Sequence, residues 1–581
     1  MILDRISGPR DLKKLTADEL NTLASEIREG LFNRLTKKGG HFGPNFGFVE
    51  ATIALHYVFN SPVDKIVFDV SHQCYPHKML TGRAYGFFDE TQFSKISGYT
   101  NPDESEHDFF NVGHTSTSVS LAGGLAKARD LKGDKENIIA VIGDGSLSGG
   151  EALEGLDFAG EQNTNFIIVV NDNDMSIAEN HGGLYKNLRQ LRKTNGQCPV
   201  NLFKGFGLDY IYVDKGNDIP SLIEAFNKVK DIDHPIVVHI NTLKGCGYKP
   251  AEENKEVWHW TSPFNRATGE RPLQSGENYN SMTAEFMLKK MAADPTVAFV
   301  CPAVPANFGF TKPNRDKAGK QFIDPGIAEE HSIALVSAMA KNKAKPVFGT
   351  HSSFIQRTYD QLNQDLCINK SPATLLVNTA SIWGMNDITH LGIFDIPLMS
   401  NLPELVYLAP TNAEEYLAML DWSIEQTEHP VAIRMPCNGV HHTMSSVQKD
   451  YSDLNKFLIT QKGSEVAILA CGDFFQLGEK LADFIETKSG KKPTLINPRY
   501  LTGLDTQLLE TLMADHKKII TLEDGILDGG FGQKIAGFYG SKPVQVYNFG
   551  FKKEFLDRYN AAEVLKQNHL TPEQIWQDIQ E

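Results

Sequence analysis

The 581 residues carry 57 Lys and Arg against 72 Asp and Glu, a formal charge of −15, with 41% hydrophobic and 22% charged residues. That acidity argues against the basic stripe of a nucleic-acid binder, no apolar run approaches the ~20 residues of a membrane span, and the start Met1-Ile2-Leu3-Asp4-Arg5 lacks the layout of a secretory signal. Seven dispersed cysteines without a C-x-x-C pair fit neither a zinc knuckle nor a disulfide framework, so a cytoplasmic, multidomain enzyme is expected.

In chain order, β-branched runs at 138–142, 166–170, 236–240, 374–377, 466–469, 518–521 and 544–547 read as strands. Helical stretches such as 151–156 lie between them. Continuous apolar strands separated by helices predict mostly parallel sheets covered on both faces, an α/β fold. Polar or Gly-rich breaks near 265–282 and 440–456 divide the chain into three expected domains, 1–270, 282–445 and 457–581.

Gly143-Asp144-Gly145-Ser146 follows one strand and precedes a helix. A Gly-rich turn there lets backbone N–H groups approach a phosphate at a helix N-terminus. It is no dinucleotide fingerprint, because Ser148 stands where the third Gly would be. Alone the motif is weak, since Gly and Asp are common turn formers. Asn171-Asp172-Asn173 closes the next strand and sharpens it. Neighbouring parallel strands bring both ends to one sheet edge, where open α/β folds bind ligands. Asp144 then offers a hard carboxylate and Asn173 an amide oxygen. With a main-chain carbonyl, diphosphate oxygens and water, they suit octahedral Mg²⁺.

This arrangement resembles the thiamin diphosphate signature of transketolase-like enzymes. The likeness extends through Gly40-His41-Phe42, the segment Ser71 to Lys78, Gly113 to Ser118, Asn171 to Ile177, Lys244 to Tyr248, Gly326 to His331 and Phe354 to Gln361. On these motifs the chain resembles the 1-deoxy-D-xylulose-5-phosphate synthase family over essentially its whole length. The resemblance implies thiamin diphosphate and Mg²⁺ as cofactors. It also names the domains: diphosphate-binding, pyrimidine-binding and C-terminal transketolase-like. Asp144, Asn173 and Met175 become the metal ligands. His72, Gly113, His114, Thr115, Gly143, Gly145, Ser146, Lys244 and Phe354 join Asp144 and Asn173 around the cofactor. Glu329 becomes the carboxyl that protonates the aminopyrimidine, with Phe354 stacked on that ring. His41, His259 and His390 serve catalysis, and His41, His351, Arg357, His390 and Arg434 bind substrate, the two arginines holding the acceptor's phosphate. Arginine suits that task through its bidentate fork. His77 reads equally as structural, and Lys244 as a surface lysine.

The implied reaction condenses pyruvate with D-glyceraldehyde 3-phosphate, releasing CO₂ and forming 1-deoxy-D-xylulose 5-phosphate, a precursor for isoprenoids and thiamin. The substrates are small molecules, and a homodimer is implied. Two other readings stand beside this one: a transketolase-like or acyloin-forming enzyme with a different aldehyde, and a catalytically silent homologue acting as a binding subunit. Three positions depart from the family pattern. Thr379 replaces an arginine, Asn386 an aspartate, and His351 a tyrosine. Asp387, one position on, can compensate for Asn386 if the loop shifts register. The stretch from about Leu184 to Phe203 is shorter than the family's usual insertion.

Overall fold

The computed structural model describes residues 1–272 and 276–580. The expected break at 265–282 thus includes three residues, 273–275, that lie outside the described residues, as does Glu581. Two compact units emerge, one of Met1–Ser275 with Gly326–Ala328, the other of Gly276–Pro325 with Glu329–Glu581.

The first unit is built on a five-stranded sheet in the order Lys65–Phe68, Ile138–Gly143, Phe166–Asp172, Pro235–Asn241, Asp209–Val213, with every neighbouring pair parallel. Side chains alternate between faces with period two. Ile139, Val141, Ile167 and Val169 pack into one core with Leu55, Phe59 and Phe226. Ala140, Ile142, Ile168 and Val170 pack into the other with Ala126, Leu156 and Leu188. Burial on both faces explains why these runs read as unbroken apolar segments. The register pairs Gly143 with Asn171 and Asp172 with Asn241, so three strand ends finish level. Asp144 follows the first of them and Asn173 the second.

The second unit holds two sheets. One runs Val406–Leu408, Val431–Arg434, Thr374–Asn378, Lys345–His351, Val297–Val300, Phe322–Ile323, all parallel. The other runs Leu458–Gln461, Thr494–Asn497, Glu465–Ala470, His516–Ile526, Gln545–Phe551, with only its first pair antiparallel. The two sheets share one apolar core: Val300, Phe348, Leu375 and Tyr407 belong to the same buried cluster as Leu469, Ile496, Ile519 and Phe531. All seven expected strands are present, and the fold is the α/β architecture with mostly parallel sheets that the sequence predicts. No helix among the described residues is long and apolar enough to cross a membrane.

Candidate active site

The expected site residues fall into two groups, one within each unit. In the first unit, the short antiparallel pair Gly40–His41 and Trp260–Thr261 sets His41 beside His259. Gly39 makes this approach feasible: its φ is +76°, and a Cβ there would lie 2.5 Å from the Thr261 carbonyl oxygen. The rings of His41, His72 and His259 form a triangle with centroid separations of 5.1, 5.3 and 5.6 Å. Asn45 holds two of its corners. Its Nδ2 donates to the carbonyls of His41 and His72, both at 2.8 Å, and its Oδ1 accepts from the Tyr75 N–H at 2.9 Å. Burial, together with the neighbouring cationic and imidazole groups, holds the pKa of His72 and of His259 well below the ordinary histidine value. Both are neutral near pH 7, and Nδ1 of each is buried without a hydrogen-bond partner among the described residues. Ahead of His72, Val70 and Ser71 adopt φ of 56° and 62°. Such strained conformations concentrate at functional sites.

His77 lies in the same segment but is enclosed. Its ring nitrogens meet His56 Nε2 and Asp108 Oδ1, each at 2.8 Å, and Asp108 is gripped in turn by Arg83. The structural reading of His77 holds. Gly113, His114 and Thr115 precede Ser116, whose N–H donates to Asp69 Oδ1 at 2.9 Å, while Asp69 Oδ2 accepts from Ser118 at 3.0 Å. Asp69 thus anchors the C-terminal end of the Gly113-to-Ser118 loop.

At the ends of the parallel strands, Asp144 is 1% exposed. Its Oδ2 accepts from the Met175 N–H at 3.1 Å and from Asn180 Nδ2 at 2.7 Å. Burial and the nearby Asp172 charge push its carboxyl up to about 8, so a divalent cation would relieve an unfavourable charge there. Asn173 Oδ1 and Ser176 Oγ are buried and have no partner among the described residues. No trio of His, Cys, Asp or Glu side chains is placed to hold a metal among the described residues. The expected set needs only one carboxylate, because Mg²⁺ is commonly completed by phosphate oxygens and water. The buried acid and orphaned amide oxygen fit that demand.

Lys244 overturns its surface reading. It is 2% exposed, its Nζ donates to the Ser176 carbonyl at 2.5 Å, and burial lowers its pKa to about 7. From the segment after the strand Pro235–Asn241, its side chain thus brings a cation-forming group against the loop of the candidate metal ligands.

In the second unit, Glu329 opens the helix Glu329–Lys341 and is 3% exposed. Oε2 has no hydrogen-bond partner among the described residues; the nearest cation, Arg357 Nη1, lies 3.6 Å away. Burial wins over that guanidinium and raises the carboxyl to about 7. Phe354 receives edge contacts from the imidazoles of His351 and His390, with centroids at 5.0 and 5.4 Å. Asp387, the residue after Asn386, bonds the Thr389-His390 pair. Its Oδ1 accepts from Thr389 Oγ1 at 2.6 Å and sits 3.0 Å from His390 Nδ1. Burial alone would raise this carboxyl, but His390 and Thr389 hold it at about 2. Asn386 is exposed, and its Nδ2 donates to the Tyr559 carbonyl at 3.3 Å.

Thr379 is equally committed. Its hydroxyl lies 2.5 Å from His351 Nδ1 and donates to the Asn378 carbonyl at 2.7 Å, while Asn307 Nδ2 donates to His351 Nε2 at 2.9 Å. This chain fixes the Nδ1–H tautomer of His351.

Arg434 requires a correction. Instead of presenting its fork to a phosphate, it is 4% exposed and engages Asp395 Oδ2 at 2.7 Å and Asp524 Oδ2 at 2.6 Å. Two buried carboxylates converging from separate elements consume the guanidinium, and removing it would leave both charges unpaired.

Sequence reasoning missed Asn45, Asp69 and Asn180. The available signal was slight: polar residues inside or directly after apolar runs, where a buried side chain must find partners.

Family models match along the chain: 1-deoxy-D-xylulose-5-phosphate synthase over residues 3–198, the transketolase pyrimidine-binding domain over 277–440, and the transketolase C-terminal domain over 455–575. Among solved structures, a transketolase from Pichia Stipitis is 16% identical, with 97% of each chain covered and a TM-score of 0.44. The 1-deoxy-D-xylulose-5-phosphate synthase of Brevibacillus brevis is 37% identical, with 93% of this chain and 92% of that protein covered. That of Clostridium beijerinckii is 36% identical, with 99% of this chain and 98% of that protein covered. With likeness at that level over nearly its full length, the chain belongs to the 1-deoxy-D-xylulose-5-phosphate synthase family.

Proposed function

We propose that the chain condenses pyruvate with D-glyceraldehyde 3-phosphate to 1-deoxy-D-xylulose 5-phosphate, releasing CO₂ and feeding isoprenoid and thiamin biosynthesis. Its family comprises transferase-type enzymes that use thiamin diphosphate with a divalent metal such as Mg²⁺. The observation that carries the reading is Glu329 Oε2, a buried carboxyl oxygen at the first turn of its helix with no hydrogen-bond partner among the described residues.

In this reading Asp144, Asn173 and the Met175 carbonyl hold the metal. Gly143, Gly145, Ser146, His72, Gly113, His114, Thr115 and Lys244 surround the diphosphate and thiazolium. When bound, the cofactor supplies a stabilised carbanion centre for the two-carbon unit. Glu329 holds a proton at its carboxyl against the aminopyrimidine, and Phe354 provides the stacking face. The neutral imidazoles of His72 and His259 accept or donate hydrogen bonds without adding charge. His41, His259 and His390 move protons on substrate oxygens, His390 being oriented by Asp387. His351 and Arg357 contact substrate. The domains proposed are 1–270, 282–445 and 457–581, the protein acting in the cytoplasm.

Purified protein with thiamin diphosphate, Mg²⁺ and pyruvate should release CO₂ on adding D-glyceraldehyde 3-phosphate and yield a product of the mass of deoxyxylulose 5-phosphate. Release with other aldehydes only would favour an acyloin-forming enzyme, and no release with any aldehyde would favour a silent homologue. We further propose a homodimer, supported by the family resemblance. Light scattering at micromolar concentration should give twice the chain's 64.5 kDa; an active species of monomer mass would refute the dimer.

A further inference from the structure

The sequence attaches no function to the short stretch after residue 183. It forms the helix Gly183–Lys193, and Arg192 in its last turn reaches back to the end of the strand Phe166–Asp172. Nη1 lies 2.6 Å from each carboxylate oxygen of Asp172, and Nη2 lies 2.7 Å from Asp174 Oδ1. One guanidinium therefore bridges the residues on either side of Asn173.

The two arms differ in kind. Asp172 is wholly buried and needs counter-charge; it is also met by His239, whose Nε2–H donates to Oδ2 at 2.9 Å, with the Tyr210 hydroxyl 2.8 Å from Nδ1. A contact to Asp172 alone would be enough to staple the helix to the sheet. Asp174, by contrast, has a side chain 44% exposed and sits at a left-handed φ of 59°, a turn conformation that Asp tolerates better than most residues with a side chain. Its N–H donates to Asp172 Oδ1 at 3.1 Å. The second arm of Arg192 thus adds no core burial and instead fixes the turn residue that follows Asn173. On another side, Lys255 Nζ donates to the Asn173 carbonyl at 3.1 Å. The backbone around Asn173 is held in several places, while Oδ1 itself has no partner among the described residues.

We propose that Arg192 is a positioning residue for the metal-binding loop, holding Asn173 in ligating geometry by bridging Asp172 and Asp174. The inference rests on the assignment of Asp144 and Asn173 to Mg²⁺. Residues that orient metal ligands commonly govern affinity by 10- to 100-fold.

The test is calorimetric titration of Mg²⁺ into the full-length protein saturated with thiamin diphosphate. Arg192→Gln should weaken Mg²⁺ binding by about tenfold to a hundredfold. Arg192→Lys, which keeps the charge and loses the fork, should recover part of that affinity. At saturating Mg²⁺ the kcat of both should return close to wild type, so that the defect lies in the Mg²⁺ requirement. Asp174→Asn leaves the buried Asp172–Arg192 pair intact and should weaken Mg²⁺ binding several-fold even if Arg192→Gln fails to fold. Wild-type Mg²⁺ affinity in the folded variants would overturn the role of Arg192 and leave the metal site standing. A wild-type protein that takes up no Mg²⁺ with the cofactor would overturn the site assignment itself.

Discussion

Glu329→Gln is expected to slow exchange of the cofactor's C2 proton by about 10²–10⁴-fold, the usual range for a positioned acid–base group, with thiamin diphosphate still bound. The amide keeps the shape and the buried position but cannot deliver a proton. Deuterium exchange at C2 followed by NMR measures this directly; exchange at the wild-type rate would remove Glu329 from the chemistry. The same substitution should act oppositely on stability. Burial raises the folded carboxyl from 4.5 to about 7, so the folded state retains a proton that the unfolded chain releases between those values. Stability from this group is therefore lost as pH rises from about 4.5 to 7. Gln escapes that loss, and its advantage should be absent at pH 4 and reach at most about 3 kcal/mol at pH 8. Denaturant unfolding of both proteins at the two pH values checks the sign.

Asp144→Ala should abolish Mg²⁺-dependent cofactor binding, with affinity falling by about a hundredfold or more, beyond the range typical for residues that merely orient a metal ligand. The fold should survive, because Asp144 is an electrostatic burden without metal: burial and Asp172 raise its pKa to about 8. That value also sets a pH signature. Because its pKa is raised, protons compete with Mg²⁺ for this carboxyl, and Mg²⁺ should bind more weakly near pH 6 than at pH 8.5. Titration of thiamin diphosphate with Mg²⁺ at both pH values reads the effect in the wild type and its loss in the variant. Equal cofactor affinity in wild type and Asp144→Ala would sink the metal assignment.

The strands that carry the candidate site were legible because they are buried on both faces. At 138–142 and 166–170 every residue is apolar, and no alternation is needed to recognise a strand there. Short strands such as Lys65–Phe68 and Val406–Leu408 were not legible, since three or four residues give no period. The Asp144 and Asn173 pairing was readable because parallel register fixes which strand ends lie level. Contacts made across the fold were not. Nothing local to Arg434 signals that Asp395 and Asp524 close on it from elements 39 and 90 residues away. Arg192 was hidden in the same way, 20 residues from the Asp172 it grips. Asp387 was half legible: its place one position after Asn386 drew attention to it, while its contact with His390 comes from the turn between them.

The apolar core shared by the two sheets of the second unit bears on how this chain could have diversified. By family likeness, residues 455–575 are a separable C-terminal module. By packing they are not, because Leu469, Ile496, Ile519 and Phe531 complete the same interior as Val300, Phe348, Leu375 and Tyr407. Recombination that exchanged this segment for a distant relative's would have to match side-chain volumes across the whole seam at once. Drift on either side is thereby tied to drift on the other. The last fifth of the chain is a co-adapted part of a single interior, free to vary only at its outer faces.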